Sequence, residues 1–370
     1  YTYTCIFGAK TQHYFESDAN VLLLLHFHAL VHAFVIEDHS LWHDPRTQTE
    51  HNLTTRSSTQ SEPVQWPTLF ICVLCYAGFA LSTVFADALG FLAAGIVLTL
   101  SLTLYSSFNH EVLHGHPFRN ETVNTLLVFP ALGLLIPYPR FRDTHLAHHH
   151  DPSLTDPYDD PETNFVDPVV WASWSGLRQR LYMFNNTLLG RMAIGPVIGL
   201  ATFYKQDLRA IQNGDRRVID AYLFHIGGLV PVIWWIVQFA TMPFWLYALA
   251  VYLSHSILKI RTFLEHRAHE KARCRSVIIE DRGPLSFLFL NNNLHAVHHA
   301  CPTLPWYRLQ SEYADRRGSF LQRNGGYAYP SYAKVISLFF VKAKDPVPHE
   351  LWPDAPTRAE TDMRGEELPS

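Results

Sequence analysis

Histidine stands out in this chain, less for its number, 22 in 370 residues, than for its spacing. His110 and His114 are separated by three residues. On a continuing helix that spacing puts both rings on one face, about 6 Å apart along the axis. His145, His148 and His149 follow as H-x2-H-H, which is i, i+3 and i+4 on a single face. His150 falls about 100° further round. The same H-x2-H-H recurs at His295, His298 and His299, preceded by Asn291, Asn292 and Asn293. A fourth element, Glu265-His266-Arg267-Ala268-His269, offers His266 or His269 to complete a site. Imidazole is the commonest metal-ligating side chain. Nine imidazoles cannot crowd round one ion; they suit two metals with nitrogen-rich shells. Structural zinc usually recruits cysteine, and none of Cys5, Cys72, Cys75, Cys274 and Cys301 stands at ligand spacing to these clusters. Imidazole accepts Fe, Zn, Cu and Ni alike, so spacing leaves the metal open. Carboxylates at Glu111, Asp143, Asp151, Asp156, Asp159, Asp160 and Glu162 are candidates to receive the outer ring N–H of ligating histidines. For Asp159 and Asp160 a solvated loop is the competing expectation.

The elements that must position these rings are apolar helices. Thr68 to Phe85, Ala88 to Phe108, Ile219 to Ala240 and Met242 to Ile260 each approach the ~20 apolar residues that cross a bilayer. They form two closely spaced pairs, joined at Ala86-Asp87 and at Thr241 to Pro243. No Lys or Arg occurs from Ser57 to Phe118 or from Val218 to Leu258, whereas Asn109 to Arg217 carries ten and the chain from Lys259 onward sixteen. Basic residues mark the cytoplasmic side. Both tight turns are therefore expected outside, and every histidine cluster inside. The expected fold is an all-α membrane protein: four transmembrane helices in two hairpins, with a helical cytoplasmic cap from Pro284 carrying the histidine site. Leu126 to Tyr138, with Pro130 and Pro137, is too short to cross and reads as re-entrant or interfacial. Leu188 to Tyr204 reads as an interfacial helix.

Composition agrees. Hydrophobic residues make up 48% and charged residues only 17% of the chain, below the usual quarter. A net charge of −4 disfavours a nucleic-acid partner. Five cysteines imply no disulfide framework, and Cys72 and Cys75 lie in an apolar run that favours ordinary packing. No Met precedes Met183. Residues 1–66, with seven histidines at no repeated spacing and a Ser/Thr/Gln/Pro-rich end, are expected to be a poorly ordered or non-native extension. The membrane domain that carries the histidine clusters is expected over 67–348, and 349–370 as a loose tail.

At His110-x3-His114, His145-x2-His148-His149 and His295-x2-His298-His299 the chain resembles the membrane fatty acid desaturase superfamily, which includes membrane hydroxylases and carotenoid ketolases. The resemblance spans roughly Pro67 to Pro348. It implies a mushroom-shaped helical membrane domain with a cytoplasmic di-iron site that activates O2 against an unactivated C–H bond of a lipid chain. It implies that His110, His114, His145, His148, His149, His295, His298 and His299 ligate iron, with His266 as a ninth ligand ahead of His269. Asn292 matches an asparagine some members place before the last box, and His116 and His150 are left as outer groups. No His-Pro-Gly-Gly haem motif occurs, so electrons are expected from a separate ferredoxin or cytochrome. The first expectation for the reaction is a double bond introduced into an acyl chain of a fatty acid or lipid. Hydroxylation or ketolation of a lipid or carotenoid stays open, since Arg261 to Arg267 and Pro302 to Trp306 have counterparts in ketolases. A non-enzymatic metal carrier would place ionisable residues at mid-membrane, where only His225 and His255 fall. Trp234, Trp235, Trp245 and Phe287 are candidates to line a substrate tunnel or to face lipid.

Overall fold

A computed structural model describes residues 64–149 and 151–352, apart from the side chain of Asp151. The N-terminal extension, His150 and the end of the tail lie outside the described residues. The framework is helical: α1 (Trp66–Val84), α2 (Phe91–Leu113), α3 (Tyr138–His148), α4 (Leu188–Ala193), α5 (Gly195–Gln212), α6 (Arg216–Phe239), α7 (Phe244–Thr262), α8 (His295–Ala300) and α9 (Trp306–Arg323), with shorter helices between. Two short strands, β1 (Ile278–Ile279) and β2 (Ala328–Tyr329), pair in parallel. Among the described residues α1, α2 and α6 are long and apolar enough to cross a membrane. The segment expected as a fourth span is a helix, α7, of 19 residues, but it is not among these three. Its last turns carry His255, Lys259 and Arg261, which dilute its apolar character.

Start and stop signals explain the helix bounds. Pro67 sits in the first turn of α1, where its missing N–H costs nothing. Asp215 caps α6 by accepting from the backbone N–H groups of Arg217 and Val218. At the end of α2, Gly115 takes a left-handed φ of +90°. Its N–H donates to the Val112 carbonyl and the His116 N–H to the Glu111 carbonyl. That pair of bonds is a Schellman stop; it ends the helix at Leu113, with His114 as the cap, and turns the chain away.

The helix α2 is central, packed between α1 and α7. Ala94, Leu98 and Phe108 are fully buried there. The second expected pair behaves differently: α6 and α7 do not pack along one another, and α5 bridges them instead. The segment 128–137, part of the stretch expected to be re-entrant or interfacial, is non-helical and lies among the helices. Irregular backbone at such depth needs partners for its polar groups, and the flanking helices supply them. The Tyr105 hydroxyl donates to the carbonyls of Val128 at 3.1 Å and Pro130 at 2.6 Å, Tyr247 to Leu132 at 2.5 Å, and Tyr204 to Leu135. The Ala131 N–H donates to the Gly228 carbonyl on α6.

Trp234, Trp245 and Phe287 are exposed, and Trp235 donates its indole N–H to Thr83 Oγ1 at 3.1 Å. None of the four lines the large cavity described below, so the tunnel-lining expectation gives way to outward-facing and packing roles.

A Cβ on Gly228 would lie 2.1 Å from the carbonyl oxygen of Phe129, a backbone atom that cannot rotate away. Gly228→Val is therefore expected to destabilise the protein by about 1–3 kcal/mol or more, read as a lower unfolding temperature in detergent. Gly133→Ala, with open space around the new methyl, should leave it within the scatter of wild type; equal behaviour of the two variants would contradict this packing.

Candidate metal centre

Four separate pieces of chain deliver the histidines. His110 lies in the last turn of α2 and His114 caps it. His145 and His148 lie in the last turn of α3, which His149 caps. His266 follows α7 and is held by an antiparallel bridge to Ser276. His295, His298 and His299 occupy α8, which Pro302 prevents from continuing.

The nine histidines fall into two groups. Ring nitrogens of His110, His114, His145, His149 and His298 lie within 4.8 Å of one another, and those of His148, His266, His295 and His299 do the same. In the second group the Nε2 atoms converge: His266 lies 2.8 Å from His148 and 3.0 Å from His295, and His299 lies 3.1 Å from His295. In the first, His149 Nε2 stands 3.0 Å from both His145 and His298. The Nε2 atoms of His110 and His114 are buried without a hydrogen-bond partner.

The outer nitrogens explain why the inner ones present lone pairs. A carboxylate only accepts, so a ring Nδ1 facing one carries the proton. His145 Nδ1–H donates to Glu162 Oε1 at 2.9 Å and His148 Nδ1–H to Asp160 Oδ1 at 2.7 Å. His295 Nδ1 faces Asn292 Oδ1 at 3.2 Å, with Glu265 at 3.7 Å, and His266 Nδ1 faces the Ser276 hydroxyl at 3.3 Å. Asp160 is itself fixed, accepting the backbone N–H groups of Thr155 and Glu162 at 2.9 Å.

Electrostatics follow from this layering. Burial, reinforced by neighbouring imidazoles, pushes His149, His266, His295 and His298 far below the ordinary histidine range. They are neutral at pH 7. Burial also opposes protonation of His148, but Glu162 and Asp160 outweigh it and lift the ring to about 9. Burial alone would raise the Glu162 carboxyl; His145 and His148 pull it well below the usual range. A single proton can bridge two facing nitrogens, not four or five. Such converging lone pairs call for a shared cation, and imidazole nitrogens each about 2.0–2.1 Å from one ion stand about 3 Å apart. Both groups can hold a metal ion.

Several expected roles moved. Asn292 sits behind His295 rather than among the converging nitrogens. His269 belongs to neither group; its Nδ1 accepts from the Lys271 N–H. His116 is buried outside both groups with neither ring nitrogen partnered. Of the acids, Asp160 and Glu162 reach histidines. Glu111 instead accepts the Trp306 N–H at 3.0 Å at the start of α9, Asp143 pairs with Arg142, Asp156 accepts the N–H groups of Tyr158 and Asp159, and Asp159 is exposed. Glu265 and Ser276 were not foreseen. Glu265 is a buried i,i+4 partner of Arg261, at 3.2 Å, and that spacing was the available signal; Ser276 arrives through the fold-back and leaves no sequence pattern.

His148, His266 and Glu265 also line a cavity of about 860 Å³. Residues of both α6 and α7, with α5 between them, lie on its wall. His225 and His255, also on its wall, bond to the backbone carbonyls of Leu134 and Val251 and join no metal group.

Comparison with known proteins agrees with this geometry. The chain is 25% identical over 256 residues to a beta-carotene ketolase from Paracoccus sp. (strain N81106 / MBIC 01143), covering 66% of this chain and 86% of that protein. A sequence model of fatty acid desaturases matches residues 86–331, a stretch that holds all nine converging histidines and both carboxylates behind them, and the chain belongs to the fatty acid desaturase family.

Proposed function

We propose that this protein is a membrane di-iron, O2-dependent oxidoreductase that introduces a double bond into the acyl chain of a fatty acid or lipid. The observation that carries the reading is the pair of histidine groups whose buried Nε2 atoms converge beside a large cavity. The nine ligands proposed are His110, His114, His145, His149 and His298 for one iron, and His148, His266, His295 and His299 for the other. Two iron ions held there would supply the oxidising power to take hydrogen from an unactivated C–H bond.

The chain's own residues do the rest. Glu162 and Asp160 hold the Nδ1 protons of His145 and His148, so that each Nε2 lone pair faces inward. Asp160 and Glu162 also favour a proton on His148, which a metal ion held there would have to displace. Residues of α2, α5, α6 and α7 line the chamber beside the site, and a hydrocarbon chain filling it would displace water from the neighbourhood of a strong oxidant. Four crossings, α1, α2, α6 and α7, with the histidines on the cytoplasmic side, are supported by the absence of Lys and Arg near both distal turns. Electrons are proposed to come from a separate ferredoxin or cytochrome.

A second reading, hydroxylation or ketolation of a lipid or carotenoid, is favoured by the ketolase relative. It uses the same site and differs in the fate of the attacked carbon.

Protein purified under reducing conditions is expected to carry two iron atoms per chain by elemental analysis; one zinc, or no metal, would overturn the di-iron reading. His148→Ala removes a proposed ligand, so it should abolish product while the protein still fractionates with membranes. Expression in a host of known lipid composition, followed by mass spectrometry of fatty acids and pigments, separates the reactions. Loss of two hydrogens marks desaturation, and a gained oxygen marks the second reading.

A further inference from the structure

The cavity wall carries a positive charge that nothing in the site explains. Lys259 lies near the end of α7 and faces the cavity. It makes no hydrogen bond or ion pair with any described residue. Its ammonium rests against the bare backbone of Gly199 on α5, where a Cβ would stand 3.3 Å from Nζ. The carboxylates that act on it through space, Glu162 and Glu265, have other contacts: Glu162 holds His145 and Glu265 pairs with Arg261.

A second cation adds to the surplus. Arg191, on α4, is buried and lines the same cavity. Its guanidinium donates only to neutral oxygens, the Asn185 carbonyl at 2.9 Å and the side-chain oxygens of Asn164 and Asn186. Two like charges that repel one another therefore share a chamber with no carboxylate in contact with either. A partly desolvated ammonium without a partner is costly, and the natural relief is an anion. Toward the middle of α2 the same chamber becomes apolar, with Leu102, Val128, Phe129 and Phe224 on its wall. One end suits an anionic group and the other a hydrocarbon chain.

We propose that Lys259, with Arg191 behind it, forms a subsite for an anionic oxygen group, the carboxylate of a free fatty acid or the phosphate of an acidic lipid, inside the cavity beside the histidines. The substrate class is then an anionic lipid rather than a neutral polyene. The proposal rests on reading this cavity as the substrate chamber. Its ligand chemistry is a single anionic oxygen group donated to by Lys259 Nζ, with Arg191 contributing charge rather than contact.

The test measures binding, not turnover. Full-length protein in neutral detergent is titrated with radiolabelled oleate, oleoyl lysophosphatidic acid and oleyl alcohol. At least one anion is expected to bind about tenfold or more tightly than the alcohol, and the better anion names the source. Lys259→Met should bring that anion down to the alcohol's affinity, with the alcohol's own binding as the check on folding. Equal affinity of wild type for all three probes overturns the proposal, as does a preference that survives Lys259→Met. Should the variant not fold, reductive methylation of the unsubstituted protein decides: the preferred anion must shield Lys259 and the alcohol must not, and shielding by neither overturns the subsite. Iron content and product are read on the same preparation. A preference without iron or product would sink the enzymatic reading alone, and iron and product without a preference would sink only the subsite.

Discussion

The structure depends on holding neutral imidazole lone pairs about 3 Å apart and aiming them at common points. Left alone, such nitrogens repel, and burial deprives them of water. The fold resolves the conflict from the outside. Carboxylates and an amide oxygen face the Nδ1 atoms of His145, His148 and His295, and each fixes a tautomer as well as an angle. The rings are thus held by the protein alone, with Asp160 buried and Glu162 half-buried behind them, and a metal ion would complete an arrangement already in place. Removing an acid from this layer would leave the ligand residues in place yet free their rings to turn.

The same constraint shapes the bundle. Rings from α2, α3, α8 and the segment after α7 can meet only if each element stops at the right height. Gly115 stops α2 immediately beyond His114 with two crossed backbone bonds. Glu111, on the same last turn, reaches away from the metal groups to take the Trp306 N–H and so ties α9 to α2. The irregular segment 128–137 then wedges beside α6, its carbonyls satisfied by tyrosines from α2, α5 and α7. That wedge and α5 stand where α6 and α7 would otherwise close on each other. The chamber beside the histidines is a consequence of α6 and α7 staying apart.

Much of this was legible in the sequence. Helical spacing alone brings His145, His148 and His149 to one face, and the apolar runs place α1, α2, α6 and α7 within a few residues of their ends. Periodicity cannot report partners that arrive through loops. Asp160 and Asp159 are adjacent acids in one loop, yet one is buried against His148 and the other exposed; only the path of the chain separates them. Ser276 meets His266 through a fold-back with no pattern to mark it. The parting of α6 and α7 was equally hidden, because a short connection between two apolar helices reads as a packed hairpin whether or not the helices touch.

The histidine site and the reaction outcome are separable in physical terms. On the proposed reading, a ring of nitrogen ligands would set the power of the oxidant but would not choose which carbon meets it. That choice belongs to the chamber, where binding energy remote from the reacting carbon fixes its position. Here the chamber is wide, about 860 Å³, so a hydrocarbon chain alone would slide within it. A chain tethered at one end by a charge cannot slide, because moving it would pull the anion off an ammonium that has no other partner. On the proposed reading, the position of Lys259 along α7, seven residues before His266, would set which carbon of a tethered chain stands beside the histidines.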